Sequence, residues 1–263
     1  MTPLWVAVLL GLVEGVTEFL PVSSTGHLIL VEGLVPRVAG APEVFRVVIQ
    51  AGAIAAVAWL YRTRFASLLR PAEPGRFGGM RGLFLLALAT LPALVVGYLV
   101  RRHLDAVSTP AHVAGALALG GVALLALERF RGDRGRVVVD GLSPAVALGI
   151  GLFQCLAIWP GMSRSAATIG GAMLLGLTRR AAAEFSFLAA VPVIAAASAY
   201  ELWRGGDALG ADGLLALATG FVVAALSAVV AVRGFTAFLA RSTMTPFAWY
   251  RIGLAILVLA LLV

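Results

Sequence analysis

The chain has 263 residues, of which 61% are hydrophobic and only 13% are charged, and its mean hydropathy is +1.00. Because a soluble domain carries about 25% charged residues, this composition excludes a soluble enzyme and a disordered chain. The apolar runs are long enough to cross a bilayer and do not alternate like the strands of a membrane β-barrel. We therefore expect an all-α polytopic membrane protein that forms a single membrane domain over residues 1–263.

The net charge is +7, and all 20 basic residues are arginine. A basic chain can indicate a nucleic-acid partner. Here the arginines cluster between apolar runs, which is typical of loops at a membrane surface. We therefore expect membrane lipids and no nucleic acid as partners. The first apolar segment lacks a basic N-terminal region and contains acidic residues, so we do not expect a cleavable signal peptide.

The apolar segments are of two kinds when they are taken in chain order. Two regions are interrupted by stretches rich in Pro, Gly and Ser, and these are residues 3–35 and 142–178. Six continuous runs read as full spans, three after each broken region: 44–60, 83–100, 111–128, 184–203, 214–232 and 247–263. An irregular backbone at membrane depth needs protein or a wet cavity around it. We predict six transmembrane helices plus two re-entrant helix-loop-helix hairpins.

The arginines also predict which side of the membrane each loop faces. The loops at 61–82, 129–140, 178–183 and 233–246 hold 13 arginines, whereas those at 36–43, 101–110 and 204–213 hold four. The arginine-rich group should be cytoplasmic. Both termini then lie outside, and the two hairpins enter from opposite sides. This arrangement is an inverted-topology repeat, with repeat 1 at about 1–130 and repeat 2 at about 140–263.

Two acids, Glu14 and Glu18, lie one helical turn apart in the first broken region. Two like charges on one face of an apolar helix are costly. They could line a polar crevice or snorkel to the interface. Alternatively they could chelate a divalent metal, or one could stay protonated and act as an acid or base.

A hydroxyl-rich turn follows Pro21 and contains Ser23, Ser24 and Thr25, with His27 one turn into the next helix. Hydroxyls and backbone N–H groups at a helix start favour an anion. A serine becomes a good nucleophile only when a base removes its proton. An ordinary N-cap is the simpler interpretation of such a turn, but the nearby acids and histidine favour a reactive site.

Arg164 lies in the second interrupted stretch, together with Ser163, Ser165 and Thr168. The guanidinium fork suits phosphate, and burying it in a membrane without an anion is expensive. Arg164 could instead neutralise Glu14 or Glu18. Hydroxyls and arginine suit a phosphate or pyrophosphate, so a phosphorylated lipid is the natural ligand.

Two segments, Glu14–Leu28 and Pro160–Ile169, closely resemble the signature motifs of the undecaprenyl pyrophosphate phosphatase family, also called bacitracin-resistance proteins. Glu184–Leu188 and Phe45–Gln50 are similar to that family as well. The chain departs from the pattern at Ala166, where the family has glycine.

This resemblance implies removal of the terminal phosphate of undecaprenyl pyrophosphate, a polyprenyl pyrophosphate lipid. The product, undecaprenyl phosphate, is reused in peptidoglycan synthesis, and the activity confers bacitracin resistance. The resemblance further implies hairpins built from inverted repeats and dependence on a divalent cation, for which we expect Mg²⁺ or Ca²⁺. It places the enzyme in the bacterial plasma (inner) membrane with its active site facing outside.

We assign roles to the motif residues on this basis. We expect Ser24 to be the nucleophile, His27 to accept its proton or activate water, and Glu18 to orient His27 or act as a base. We expect Glu14 and Glu18 to hold the metal. The residues expected to bind the phosphate groups are Arg164, Ser163, Ser165, Thr168, Ser23 and Thr25.

Several alternatives stay open at this point. Water could attack phosphorus directly, without a phosphoserine. Broken helices in an inverted repeat are also a transporter design, so the protein could flip undecaprenyl phosphate, alone or coupled to hydrolysis. A lipid phosphatase of the acid-phosphatase type is disfavoured because it needs a histidine downstream of its Ser-Arg motif, and all three histidines precede Ser163. A monomer and a homodimer are both compatible with the sequence.

Overall fold

The computed structural model describes residues 2–35, 38, 43–71, 75–104, 107–205 and 211–263. Within these ranges the chain is almost entirely helical, and the one β contact is an isolated bridge between Val137 and Leu177. The helices are α1 (Leu4–Thr17), α2 (Ser24–Leu34), α3 (Glu43–Leu60), α4 (Arg62–Leu68), α5 (Gly79–Val100), α6 (Pro110–Phe130), α7 (Pro144–Cys155), α8 (Arg164–Leu174), α9 (Arg179–Gly205), α10 (Ala211–Leu239) and α11 (Thr245–Leu262).

All six predicted spans lie in helices, namely α3, α5, α6, α9, α10 and α11. Five of these are long and apolar enough to cross a membrane, and α3 becomes the sixth if it is counted together with α4. The two helices meet at a bend of 81°. The sequence predicted only a loop after residue 60. Arg64 on α4 pairs with Glu184 and Asp140, and these contacts hold the short helix across the end of the bundle.

Besides α4, four helices are too short to cross a bilayer alone. They are α1 with 14 residues, α2 and α8 with 11 each, and α7 with 12. At about 1.5 Å per residue, none reaches the roughly 30 Å of a hydrocarbon core. These are the halves of the two regions that the sequence predicted to be broken, and the breaks fall at the predicted stretches.

Close backbone contacts fix the positions of the first half of each broken region. Helix α1 packs along α10, and a Cβ atom at Gly11 would lie 2.5 Å from the carbonyl oxygen of Gly220. Helix α7 packs along α5, and a Cβ atom at Gly151 would lie 2.6 Å from the carbonyl oxygen of Leu88. Only glycine lets these helices approach so closely.

The centre of the bundle is formed by α9, whose Phe185 and Phe187 are fully buried. The ring of Phe187 packs edge-on against Phe19, with centroids 5.5 Å apart. Phe19 lies just after α1, so this contact anchors the first turn against α9. Helix α8 packs against α7 and α9. The two interrupted stretches are therefore brought together beside α9.

Candidate functional site

The two turns share one unusual backbone conformation. Ser23 has φ 70° and ψ 100°, and Ser163 has φ 71° and ψ 117°. Within the described residues they are the only non-glycine positions with positive φ. Each side chain accepts a hydrogen bond from the backbone N–H three residues later, at 3.3 Å from Gly26 and 3.2 Å from Ala166. Both serines therefore act as N-caps of α2 and α8, and backbone strain of this kind concentrates at functional sites.

The turns also contact each other. The Ser165 hydroxyl donates to the carbonyl oxygen of Leu20 at 2.7 Å. Arg251 on α11 donates to the carbonyl oxygens of Pro21 and Gly161, at 3.4 and 3.2 Å. Residues from distant parts of the chain thus form one polar cluster around the ends of α1, α2 and α8.

Glu18 lies at the centre of this cluster. Its Oε2 accepts a hydrogen bond of 2.7 Å from the Ser24 hydroxyl, and its Oε1 accepts one of 3.2 Å from Nη2 of Arg164. The Glu18 and Arg164 side chains are only 8% and 12% exposed. The sequence left open whether Arg164 neutralises an acid or binds an anion. The structure shows the ion pair with Glu18, which a phosphate could replace.

The other contacts of Arg164 leave one nitrogen of its guanidinium group, Nε, without an acceptor among the described residues. Nη1 donates to the carbonyl oxygen of Ser186 at 3.3 Å, and the guanidinium carbon lies 5.3 Å from the centre of the Phe19 ring. Nε is buried and has no acceptor within the described residues. A buried donor without a partner is costly. An anion entering the cluster would satisfy it.

Glu14 is fully buried against Glu18, and neither of its carboxylate oxygens accepts a hydrogen bond from a described residue. Buried carboxylate oxygens without donors suit a cation. The described residues contain no cluster of three or more histidine, cysteine, aspartate or glutamate side chains that could hold a metal. Mg²⁺ is commonly held by one or two carboxylates together with substrate phosphates, so this pair fits such an ion.

The sequence led us to expect the His27 side chain next to Ser24, but in the structure it contacts other groups. Its Nδ1 lies 2.7 Å from the carbonyl oxygen of Ser23, and its Nε2 lies 2.7 Å from the hydroxyl of Tyr250. The two rings are also stacked, with centroids 5.5 Å apart. The His27 side chain points toward α11, whereas the Ser24 hydroxyl points toward Glu18. In this structure the base next to the Ser24 hydroxyl is Glu18.

Apart from Thr25, the hydroxyls that we expected to bind phosphate have internal partners. Ser163 caps α8 and contacts Ser165, whose hydroxyl donates to the carbonyl oxygen of Leu20. Thr168 is fully buried and donates to the carbonyl oxygen of Arg164. The hydroxyls of these three residues therefore support the second turn from within. Thr25 is half-buried at the start of α2.

Sequence reasoning missed three contributors: Ser186, Tyr250 and Arg251. A signal existed for Arg251, because it is a charged residue inside the predicted span 247–263. Ser186 was covered only by the family resemblance, and its hydroxyl contacts Thr168. Nothing in the local pattern marked Tyr250, since aromatic residues are common near the ends of spans.

Comparison with known proteins finds relatives over nearly the whole chain. Residues 7–257 match the family described as bacitracin resistance protein BacA. The chain is 52% identical over 260 residues to the undecaprenyl-diphosphatase of Nitratidesulfovibrio vulgaris (strain DP4), covering 98% of each chain. It is 51% identical to the protein of that name from Oleidesulfovibrio alaskensis, again with 98% coverage of each. Undecaprenyl-diphosphatase 1 of Paraburkholderia xenovorans is 46% identical, with 96% of this chain and 93% of the relative covered.

The match extends over both turns and all the apolar helices, and it comes from full-length relatives. Together with the helices that are long enough to cross a bilayer, it identifies an integral membrane protein. The chain belongs to the bacitracin resistance protein BacA family.

Proposed function

We propose that this protein hydrolyses undecaprenyl pyrophosphate to undecaprenyl phosphate and inorganic phosphate, and so recycles the lipid carrier for peptidoglycan synthesis. The names of relatives that are about half identical over nearly their whole length support this activity. The observation that carries it is the contact of Ser24 and Arg164 with the same carboxylate, Glu18. Phosphoryl transfer requires a placed nucleophile, a proton acceptor and charge neutralisation, and these three side chains supply them.

In the mechanism that the geometry favours, Glu18 removes the Ser24 proton as the Ser24 oxygen attacks the terminal phosphorus. The bond between that phosphorus and the bridging oxygen breaks, and undecaprenyl phosphate leaves with the proton from Glu18. Water then attacks the phosphoserine, gives a proton to Glu18, and releases inorganic phosphate as the Ser24 oxygen regains a proton. Arg164 stabilises the phosphoryl oxygens at both steps.

A direct attack by water uses the same residues. Glu18 then removes the proton of the water molecule, and Ser24 donates a hydrogen bond to a phosphate oxygen. His27 is too fully engaged with Ser23 and Tyr250 to serve as the first base without moving. The two mechanisms differ in one observable: only the first forms a phosphoserine at position 24.

A divalent cation, Mg²⁺ or Ca²⁺, would be held by Glu14 and Glu18 together with the pyrophosphate. Its chemistry would be to neutralise charge on the phosphate oxygens. The buried, donor-free oxygens of Glu14 are the support for this assignment.

We further propose two re-entrant hairpins, α1–α2 and α7–α8, related by an inverted repeat. The matching φ and ψ angles of Ser23 and Ser163 support this relation. The packing of α1 on α10 and of α7 on α5 supports it as well, since each is the first half of one hairpin against a helix of the other repeat. With the arginine-rich loops in the cytoplasm, the active site would open to the outer face of the plasma membrane.

The test is release of inorganic phosphate from a prenyl pyrophosphate by the purified protein in detergent. With no membrane to cross, transport cannot produce this signal, so release identifies an enzyme. We expect turnover that stops with a chelator and returns when Mg²⁺ or Ca²⁺ is added. A monodisperse protein that releases no phosphate under any of these conditions would refute the proposal.

A further inference from the structure

Arg251 is an arginine that the proposed mechanism does not use. It lies in α11, is 0% exposed, and forms no ion pair with any described carboxylate. It donates hydrogen bonds to four backbone carbonyl oxygens. Two belong to α6, at Ala116 (3.2 Å) and Leu117 (3.3 Å), and two belong to the turns, at Pro21 (3.4 Å) and Gly161 (3.2 Å).

The two turn carbonyls occupy equivalent positions. Pro21 lies two residues before Ser23, and Gly161 lies two residues before Ser163. Both serines have the strained positive φ angle that ends the turn. One guanidinium therefore holds the same point of both turns. The residue after Ser23 is Ser24, and the residue after Ser163 is Arg164. Both of these side chains contact Glu18.

A buried arginine is an expensive way to fill space. The desolvation of an unpaired guanidinium is unfavourable, and an apolar side chain in the same place avoids it. Hydrogen bonds from a charged donor are stronger than those from a neutral donor, and few other side chains can donate in several directions at once. These carbonyl contacts are thus the specific gain that Arg251 supplies.

Helix α6 provides an independent observation. A Cβ atom at Gly120 would lie 2.0 Å from Nη2 of Arg251, and its three nearest neighbours would all be atoms of that guanidinium group. The absence of a side chain at position 120 therefore leaves the space that the guanidinium occupies. Among the described residues outside its own stretch of α6, none has an atom within 4 Å of the Cβ position of Gly115, so Gly115 provides a matched comparison.

We propose that Arg251 is a positioning residue for phosphoryl transfer, which sets the separation of Ser24 and Arg164 by holding the carbonyl groups of Pro21 and Gly161. This inference rests on the proposed phosphatase function. It assigns Arg251 no contact with substrate, since the side chain is enclosed by α6, α11 and the two turns.

The first test compares Arg251→Met and Arg251→Lys, with kcat and KM measured on the monodisperse, folded fraction. Methionine fills space without donors, whereas lysine keeps the charge and some of the hydrogen bonds. Because a misplacement of about 1 Å can cost about 10²-fold in rate, we expect a loss of that order in kcat for Arg251→Met. Arg251→Lys should recover part of it. KM should change little, because the displaced groups act in the transition state.

The second test is independent of how well Arg251→Met folds. Gly120→Ala should lower kcat in the wild-type background by displacing the guanidinium, and Gly115→Ala should leave kcat unchanged. Lysine lacks the planar group that the new methyl would meet. Gly120→Ala added to Arg251→Lys should therefore cause no further loss of kcat. This non-additivity would show that Gly120→Ala lowers kcat by displacing Arg251.

The outcomes separate the inference from the function on which it rests. If the wild type releases no phosphate, the phosphatase proposal itself fails. If the wild type is active and folded Arg251→Met keeps its kcat, the positioning role is wrong. The role is also wrong if the variants lose only folded protein, with unchanged kcat per folded molecule. Equal losses from Gly120→Ala in the two backgrounds would likewise overturn it, because they would indicate a packing defect alone.

Discussion

Ser24 Oγ and Glu18 Oε2 lie 2.7 Å apart, with the hydroxyl as donor. The contact joins the first residue of α2 to the C-cap residue that follows α1, across the interruption between the two helices. A serine hydroxyl pointed at a buried carboxylate is already oriented to lose its proton. The same carboxylate binds Arg164 through its other oxygen, so binding a phosphate at Arg164 would free Glu18 to act as a base.

Removing the base should reduce turnover sharply without changing the fold. In Glu18→Gln the amide keeps the shape of the side chain but cannot take the Ser24 proton. General-base catalysis contributes about 10²–10⁴-fold, so we expect a loss of that size in the rate of phosphate release. Ser24→Ala should cause a comparable loss if Ser24 is the nucleophile. Stopped-time phosphate assays on both purified variants provide the measurement.

Ser108→Ala is a suitable control, because that hydroxyl is exposed and, among the described residues, donates only to the carbonyl oxygen of Leu104. It should retain wild-type activity. If Ser24→Ala keeps substantial activity while Glu18→Gln does not, covalent catalysis at Ser24 is excluded and direct attack by water is favoured. Mass spectrometry of acid-quenched enzyme during turnover would detect the phosphoserine directly.

Arg164→Lys should lose most activity although it keeps the positive charge. A lysine offers one point charge and cannot replace both contacts of the guanidinium, which donates to the carbonyl oxygen of Ser186 through Nη1 and to Glu18, where we propose that phosphate binds, through Nη2. Removal of one transition-state hydrogen-bond donor costs about 10²–10³ in kcat. We expect a loss in this range, measured as kcat with a prenyl pyrophosphate in detergent.

Arg101→Lys is the matched control, since within the part of the chain that the structure describes the Arg101 side chain contacts only the ring and carbonyl oxygen of Tyr98. It should be fully active. A rate for Arg164→Lys equal to that of Arg101→Lys would show that Arg164 provides only charge, and the forked contact with phosphate would have to be abandoned.

Glu14→Gln should weaken the dependence of activity on the metal. The carboxylate of Glu14 has no donor within the described residues, so the neutral amide removes a ligand without breaking any ion pair. We expect the concentration of Mg²⁺ or Ca²⁺ that gives half-maximal activity to rise about tenfold, the effect of losing about 1.4 kcal/mol of binding free energy. A titration of chelator-stripped enzyme with either cation measures it.

Glu201→Gln is the control for this titration, because the one ion pair that its side chain forms within the described ranges is a loose contact with Arg204 at 4.0 Å. Its half-activating concentration should match the wild type. An unchanged titration curve for Glu14→Gln would place the cation elsewhere and leave Glu14 as a shared proton site with Glu18.

Much of this architecture follows from local sequence. Apolar runs predicted the helices that are long enough to cross a membrane, and proline, glycine and serine marked both interruptions, because these residues disfavour a continuous helix locally. The cost of isolated charges in an apolar bundle raised an ion pair of Arg164 with Glu14 or Glu18 as an alternative to a bound anion, and the structure shows the pair with Glu18. Each of these inferences needs only composition and spacing.

Features that depend on packing between elements distant in sequence could not be predicted in this way. The orientation of His27 is set by Tyr250, which lies 223 residues away, and the ring therefore turns from Ser24. The bend after α3 depends on the pairing of Arg64 with Glu184. Arg251 acts on two turns that are distant in sequence. Such contacts become visible only when the helices are placed together.

The glycine contact between α1 and α10 gives a prediction for stability. A methyl group at Gly11 would lie 2.5 Å from a backbone oxygen of α10, so Gly11→Ala must push the helices apart. Overpacking of this kind costs about 1–3 kcal/mol. Gly234→Ala on α10 meets no atom within 4 Å and should stabilise the helix by about 0.5–1 kcal/mol. Thermal unfolding midpoints in one detergent should therefore move in opposite directions, and equal midpoints would contradict the close α1–α10 approach.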